Sequence, residues 1–147
     1  MIKVKKREDI KKIVDKLVKK YGTRDPYILC QKLNINIVYK SFKGIKGFYK
    51  KILRVKYIVL NEDLDKGSEI SVLSHELGHG ILHSNIDIGF MKGNFRFYNE
   101  ILEREANMFA AELLFSDETT EEYFYLNNKN SVGFEFIEKL FRYKFKK

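Results

Sequence analysis

The sequence predicts an α+β fold in a single domain spanning residues 1–147: a small, mainly antiparallel sheet packed on helices, with one central helix carrying the histidines. Three observations predict it. Apolar residues recur at helical spacing in separate segments, at Ile10, Ile13, Val14, Leu17 and Val18 and again at Ile70, Leu73, Leu77 and Ile81. Between those segments, residues 35–60 are rich in β-branched and aromatic residues punctuated by glycine, which is the pattern of short strands. Finally, residues 74–83, SHELGHGILH, hold all three histidines of the chain.

A chain of 147 residues with 44% hydrophobic content can bury a core without covalent staples, and one cysteine excludes an intramolecular disulfide. Cys30 reads as a small buried apolar residue, since no histidine lies near it in sequence. No apolar run is long enough to span a bilayer, and the basic start MIKVKKREDI lacks the apolar stretch of a signal peptide, so a cytoplasmic protein is expected. The net charge of +8 is uneven. Residues 1–56 hold 18 Lys and Arg against 4 Asp and Glu, a balance of +14, while residues 57–147 hold 10 against 16, a balance of −6. The basic third could meet nucleic acid, but it carries no recognised nucleic-acid motif, and a solvated lysine-rich face is the preferred reading.

In chain order, residues 7–20 form an amphipathic helix stopped at Tyr21-Gly22. Asp25-Pro26 caps and opens a second helix that ends near Asn34. Alternation at Ile35, Ile37 and Tyr39 gives a strand, and Gly47–Ile52 with Arg54–Leu60 form a hairpin. Ser68 is the expected cap of the histidine helix, in which Gly78 and Gly80 imply close approach by another element or by the metal site. Residues 84–99 are expected to form a loop over or beside the cleft. A strong helix follows from Glu100 to about Phe115, then helical stretches at 118–126 and 134–145.

His75-Glu76-Leu77-Gly78-His79 is an HExxH motif. Residues four apart on a helix share a face and lie about 6 Å apart along its axis, so both imidazoles can reach one metal ion. In this arrangement the two histidines ligate Zn²⁺, and Glu76 is the base for hydrolysis of a peptide. At about 100° per residue, His75 and His79 lie roughly 140 to 180° from Ile70, off the core-facing stripe. A third ligand is needed. His83 sits about 12 Å along the axis from His75, too far for an unbroken helix to share the ion, and reads as an outer or structural histidine. Glu103 and Glu105 project about 200° apart. Glu103 shares its side with Ala106, Asn107 and Ala110, small enough for close helix approach, and is preferred; Glu105 is expected to face solvent with Glu112.

These stretches, HELGHGILH at 75–83 and EREANMFAAELL at 103–114, with Asp25-Pro26 to Val38, Lys46–Tyr49 and Ile58–Asn61 upstream, resemble the ImmA/IrrE family of metallopeptidases, whose ligands are gluzincin-like. The resemblance covers roughly residues 23–115. It implies a zincin-like domain and a zinc-dependent endopeptidase with one Zn²⁺ per chain, in which His75, His79 and Glu103 correspond to ligands and Glu76 to the catalytic glutamate. It also implies an anti-repressor role, with a helix-turn-helix transcriptional repressor of a phage, other mobile element or stress response as protein substrate. Tyr98, Arg104 and His83 are the candidates for an oxyanion donor. The alternative is a zinc-stabilised regulatory protein that binds a repressor or nucleic acid without cutting it.

Overall fold

The computed structural model describes residues 4–84, 95–129 and 134–145, with the backbone alone at 95–98. Among these, the chain forms α1 (Arg7–Tyr21), α2 (Pro26–Lys32), β1 (Ile35–Lys40), β2 (Gly47–Ile52), β3 (Val55–Asn61), α3 (Lys66–Leu82), α4 (Phe95–Leu114), α5 (Glu121–Asn128) and α6 (Phe134–Lys144). The α+β class is as the sequence predicts. The sheet is not mainly antiparallel but mixed, in the order β1-β3-β2. β2 pairs antiparallel with β3, whereas β1 pairs parallel with it in the register Ile35↔Lys56 to Lys40↔Asn61. The physical reason is the composition of β3, whose Ile58, Val59 and Leu60 are all buried. The most apolar strand takes the centre, and β2, with Lys50 and Lys51, is left at an edge.

The crossover from β1 to β2 is pinned by one side chain. Asn61 donates from Nδ2 to the carbonyls of Phe42 and Ile45, both at 2.9 Å, and accepts from Asp63 N at 3.0 Å. The cap of α3 is Asp65, not Ser68: its carboxylate accepts from the Ser68 amide at 3.2 Å. A carboxylate three residues ahead meets the free amides of the first turn and the positive end of the helix together. α4 begins at Phe95, a turn earlier than Glu100. Of the loop expected at 84–99, residues 85–94 lie outside the described residues.

The main core lies between α1, α2, the sheet, α3 and α4, around Ile10, Val14, Leu29, Ile58, Leu60, Leu73, Leu77 and Phe109. A second cluster joins α4 to α5 and α6, where the Phe124 and Phe141 rings stack at 4.2 Å. Cys30 is buried in the first cluster, and burial pushes its thiol up to about 12, as suits a packing residue.

A small part of the charge asymmetry is settled inside the chain. The acidic face of α4 lies against α1 and α6, so Glu112 is buried with Lys144 Nζ at 3.1 Å and with Arg7 and Lys11 each at 3.9 Å. Lys11 also holds Asp117 at 3.0 Å. Basic residues of the N-terminal third thus serve as partners for the acidic C-terminal part.

The β2–β3 hairpin turns through Leu53 and Arg54, both with positive φ (48° and 73°), and Leu53 is 92% exposed. Such a two-residue turn favours Asn-Gly, because side chains with a Cβ are strained in the left-handed region. Replacing Leu53-Arg54 by Asn-Gly should raise unfolding stability by about 1–2 kcal/mol. Denaturant titration checks this, and an unchanged or lower midpoint contradicts it.

Candidate metal centre

α3 and α4 lie side by side, and their contact decides what meets across them. A Cβ at Gly78 would stand 3.1 Å from Phe109 side-chain atoms and 3.2 Å from the Ala106 carbonyl. Glycine lets the two helices come this close at that point without Phe109 or the Ala106 backbone having to give way. Gly80 has the same role toward the sheet, since a Cβ there would fall 2.8 Å from the Tyr49 ring. Both glycines therefore mark the close approaches that the sequence implies.

With the helices so close, Glu103 reaches across to both histidines. His75 Nε2 lies 2.8 Å from Glu103 Oε2, and His79 Nε2 lies 2.9 Å from Oε1. One donor atom from each of His75, His79 and Glu103 falls within 4.8 Å of the others. The donor set fits a metal: two imidazole nitrogens and a carboxylate converge on one point, and the opposite nitrogen of each ring is already engaged. His75 Nδ1 donates to Asn107 Oδ1 at 2.7 Å, which leaves Nε2 free to act as a ligand. His79 Nδ1 lies 3.0 Å from His83 Nδ1.

The electrostatics follow from burial and neighbours. Burial works to lower the pKa of His75, but the hydrogen bond to Glu103 and the charges of Glu76 and Glu103 outweigh it and raise the pKa. For Glu103, burial favours the neutral acid, and the hydrogen bonds from both histidines overcome it and hold the carboxyl far below its usual range. Glu76 goes the other way. Its burial raises the pKa against the opposing pull of the two histidines, making its carboxylate a stronger base.

The backbone of Tyr49 stands by Glu76 and works weakly to lower its pKa. Asn61 N donates to Lys46 O at 2.9 Å, so hydrogen-bonded pairs of the hairpin fall at Lys46, Phe48 and Lys50, and the Tyr49 amide points outward from the sheet. Edge strand and motif helix therefore meet at Glu76. A cleft of about 380 Å³ opens over these residues, lined by Lys46, Val72, His75, Glu76, Glu103 and Asn107, with Phe136 and Lys139 from α6.

The IrrE N-terminal-like domain, a peptidase domain, matches residues 30–143 of the chain. The chain belongs to this family. It is 44% identical over 115 residues to "Uncharacterized immunity region protein 2" of Bacillus phage phi105, covering 78% of this chain and 73% of that protein. It is 28% identical over 124 residues to "Metallopeptidase ImmA" of Bacillus subtilis (strain 168), covering 83% of this chain and 72% of that one. The IrrE-like family is one of metallopeptidases, in keeping with the two-histidine, one-glutamate cluster.

Within this IrrE-like frame, Glu105 does not face solvent with Glu112: it is 0% exposed, its Oε1 lies 2.9 Å from His83 Nε2, and its Oε2 accepts from Lys5 N at 2.7 Å. The supposed outer face of α4 is covered by the N-terminal segment and α1. His83 is buried and lies outside the three-residue cluster, and burial lowers its pKa despite the Glu105 hydrogen bond. Arg104 is exposed and borders a separate depression with Val4, Glu100, Ile101 and Tyr143. The side chain of Tyr98 lies outside the described residues. Sequence reasoning missed Asn107 as the partner of His75 and α6 as a cleft wall. Asn107 had a signal, since it stands four residues after Glu103 on the same face.

Gly78→Ala should separate the two helices, lower stability by about 1–3 kcal/mol and weaken metal binding together. Thermal unfolding and metal titration test it, and a variant with unchanged values for both would contradict the close-packing account.

Proposed function

We propose that this chain is a zinc-dependent endopeptidase acting on a helix-turn-helix transcriptional repressor, with His75, His79 and Glu103 as ligands and Glu76 as catalytic base. The observation that carries this reading is the position of Glu76, a buried carboxylate beside both histidines, on the same cleft as His75 and Glu103 and with a raised pKa. A purely structural ion site has no use for a base held there. When bound, zinc supplies the Lewis acidity that peptide hydrolysis needs.

The chain's own residues supply the rest. Asn107 fixes the tautomer of His75, and Glu103 spans the two imidazoles. Glu76 takes the proton of the attacking water and returns it to the leaving amine. The β2 edge beside the cleft can hold an extended peptide as an added strand. Lys46 and Lys139 on the cleft favour acidic side chains near the scissile bond.

A repressor is the substrate class favoured by the name of the phage relative, which refers to an immunity region. Extended binding requires a segment free of backbone pairing, so a linker or frayed end of the repressor is cut and its packed core is spared.

Glu76→Gln should retain its metal and lose at least about a hundredfold in cleavage rate, since it keeps the imidazoles and removes the base. Co-expression of the wild type and this variant with a repressor encoded beside the gene, followed by mass analysis, provides the test. Discrete fragments with the wild type alone support the peptidase; relief of repression by both proteins with the repressor intact supports the binding-only alternative.

A further inference from the structure

Beyond the cluster itself, a line of hydrogen bonds runs from His79 to the start of the described chain. His79 Nδ1 meets His83 Nδ1 at 3.0 Å, His83 Nε2 meets Glu105 Oε1 at 2.9 Å, and Glu105 Oε2 accepts from the Lys5 amide at 2.7 Å. His83 and Glu105 are 5% and 0% exposed, so water cannot substitute for either partner. A carboxylate this deeply buried needs its hydrogen bonds satisfied, and here two donors from different parts of the chain serve it.

We propose that His83, Glu105 and the Lys5 backbone amide form a positioning relay that fixes the ring and tautomer of His79 and thereby sets metal affinity. This rests on the reading of His79 as a ligand. With Nε2 turned to the metal, Nδ1 carries the proton and donates to His83 Nδ1. His83 must then carry its own proton on Nε2, where Glu105 Oε1 accepts it, and the Lys5 amide completes the carboxylate's partners. Every donor in the line is matched to an acceptor in one sense only. The two ligand histidines are thus held differently, His75 by the neutral amide of Asn107 and His79 through a second imidazole by a buried carboxylate. The N-terminal segment becomes part of the site although it is remote from it in sequence.

The chain has only three histidines, which makes the relay directly observable. Long-range ¹H–¹⁵N spectra of the zinc-loaded, ¹⁵N-histidine protein should show His79 protonated on Nδ1 and His83 on Nε2. Glu105→Gln keeps the side chain's shape but turns an amide group toward one of its two donors, and should weaken zinc affinity about 10–100-fold. Lys5→Pro removes the backbone donor alone and should weaken affinity less, in the same direction. Circular dichroism of the metal-free proteins confirms folding, and chelator competition gives the affinities. A merely structural pair would lower the melting temperature and leave the zinc affinity and His79 spectrum of the folded protein unchanged, which overturns the proposal. So does His83 protonated on Nδ1 in the loaded wild type, a measurement that needs no variant to fold. If zinc fails to shift His79 Nε2 at all, the ligand assignment itself falls, and the relay with it.

Discussion

The close contact between α3 and α4 is the constraint on which the rest of the structure depends. At Gly78 the two helices approach until a single methyl group would press on Phe109 and the Ala106 carbonyl. That approach allows Glu103 to span His75 and His79, and it sets Asn107 opposite one imidazole. A wider spacing would leave two histidines on one helix and a carboxylate on another with no shared point. The sheet enforces the same geometry from the other side, through the Tyr49 ring against Gly80 and the Tyr49 backbone on Glu76.

Three glutamates in this region show how environment divides one chemistry into three. Glu103, between two imidazoles, is held ionised. Glu76, whose burial raises its pKa, is the more basic carboxylate. Glu105 lies deepest and meets a histidine and a main-chain amide. Their partners rather than their identity set the three carboxyl groups apart. Each partner comes from a different element, so the site depends on the whole packing of α1, β2, α3 and α4.

The helices and the hairpin were legible because periodicity and turn residues report local structure, and Asp25-Pro26 opens α2 as its chemistry requires. HExxH located the metal cluster because helical geometry alone puts His75 beside His79. That Glu103 rather than Glu105 faces His75 and His79 was legible from its small neighbours Ala106 and Asn107. The burial of Glu105 was not, because a charged residue on a helix signals solvent unless one knows that α1 and the Lys5 amide cover it. For the same reason the parallel pairing of β1 with β3 escaped the sequence: strand order depends on which strand is most apolar on both faces, a tertiary question. His75 is buried although it lies off the Ile70 stripe, since α3 is enclosed on more than one side.

Metal content, measured by mass spectrometry on folded, dialysed protein expressed with zinc available, tests the central claim most directly. The convergence of His75, His79 and Glu103 predicts about one zinc ion per chain in the wild type and almost none in Glu103→Ala. A folded wild type that retains no metal, or a Glu103→Ala protein that retains as much as the wild type, would contradict it.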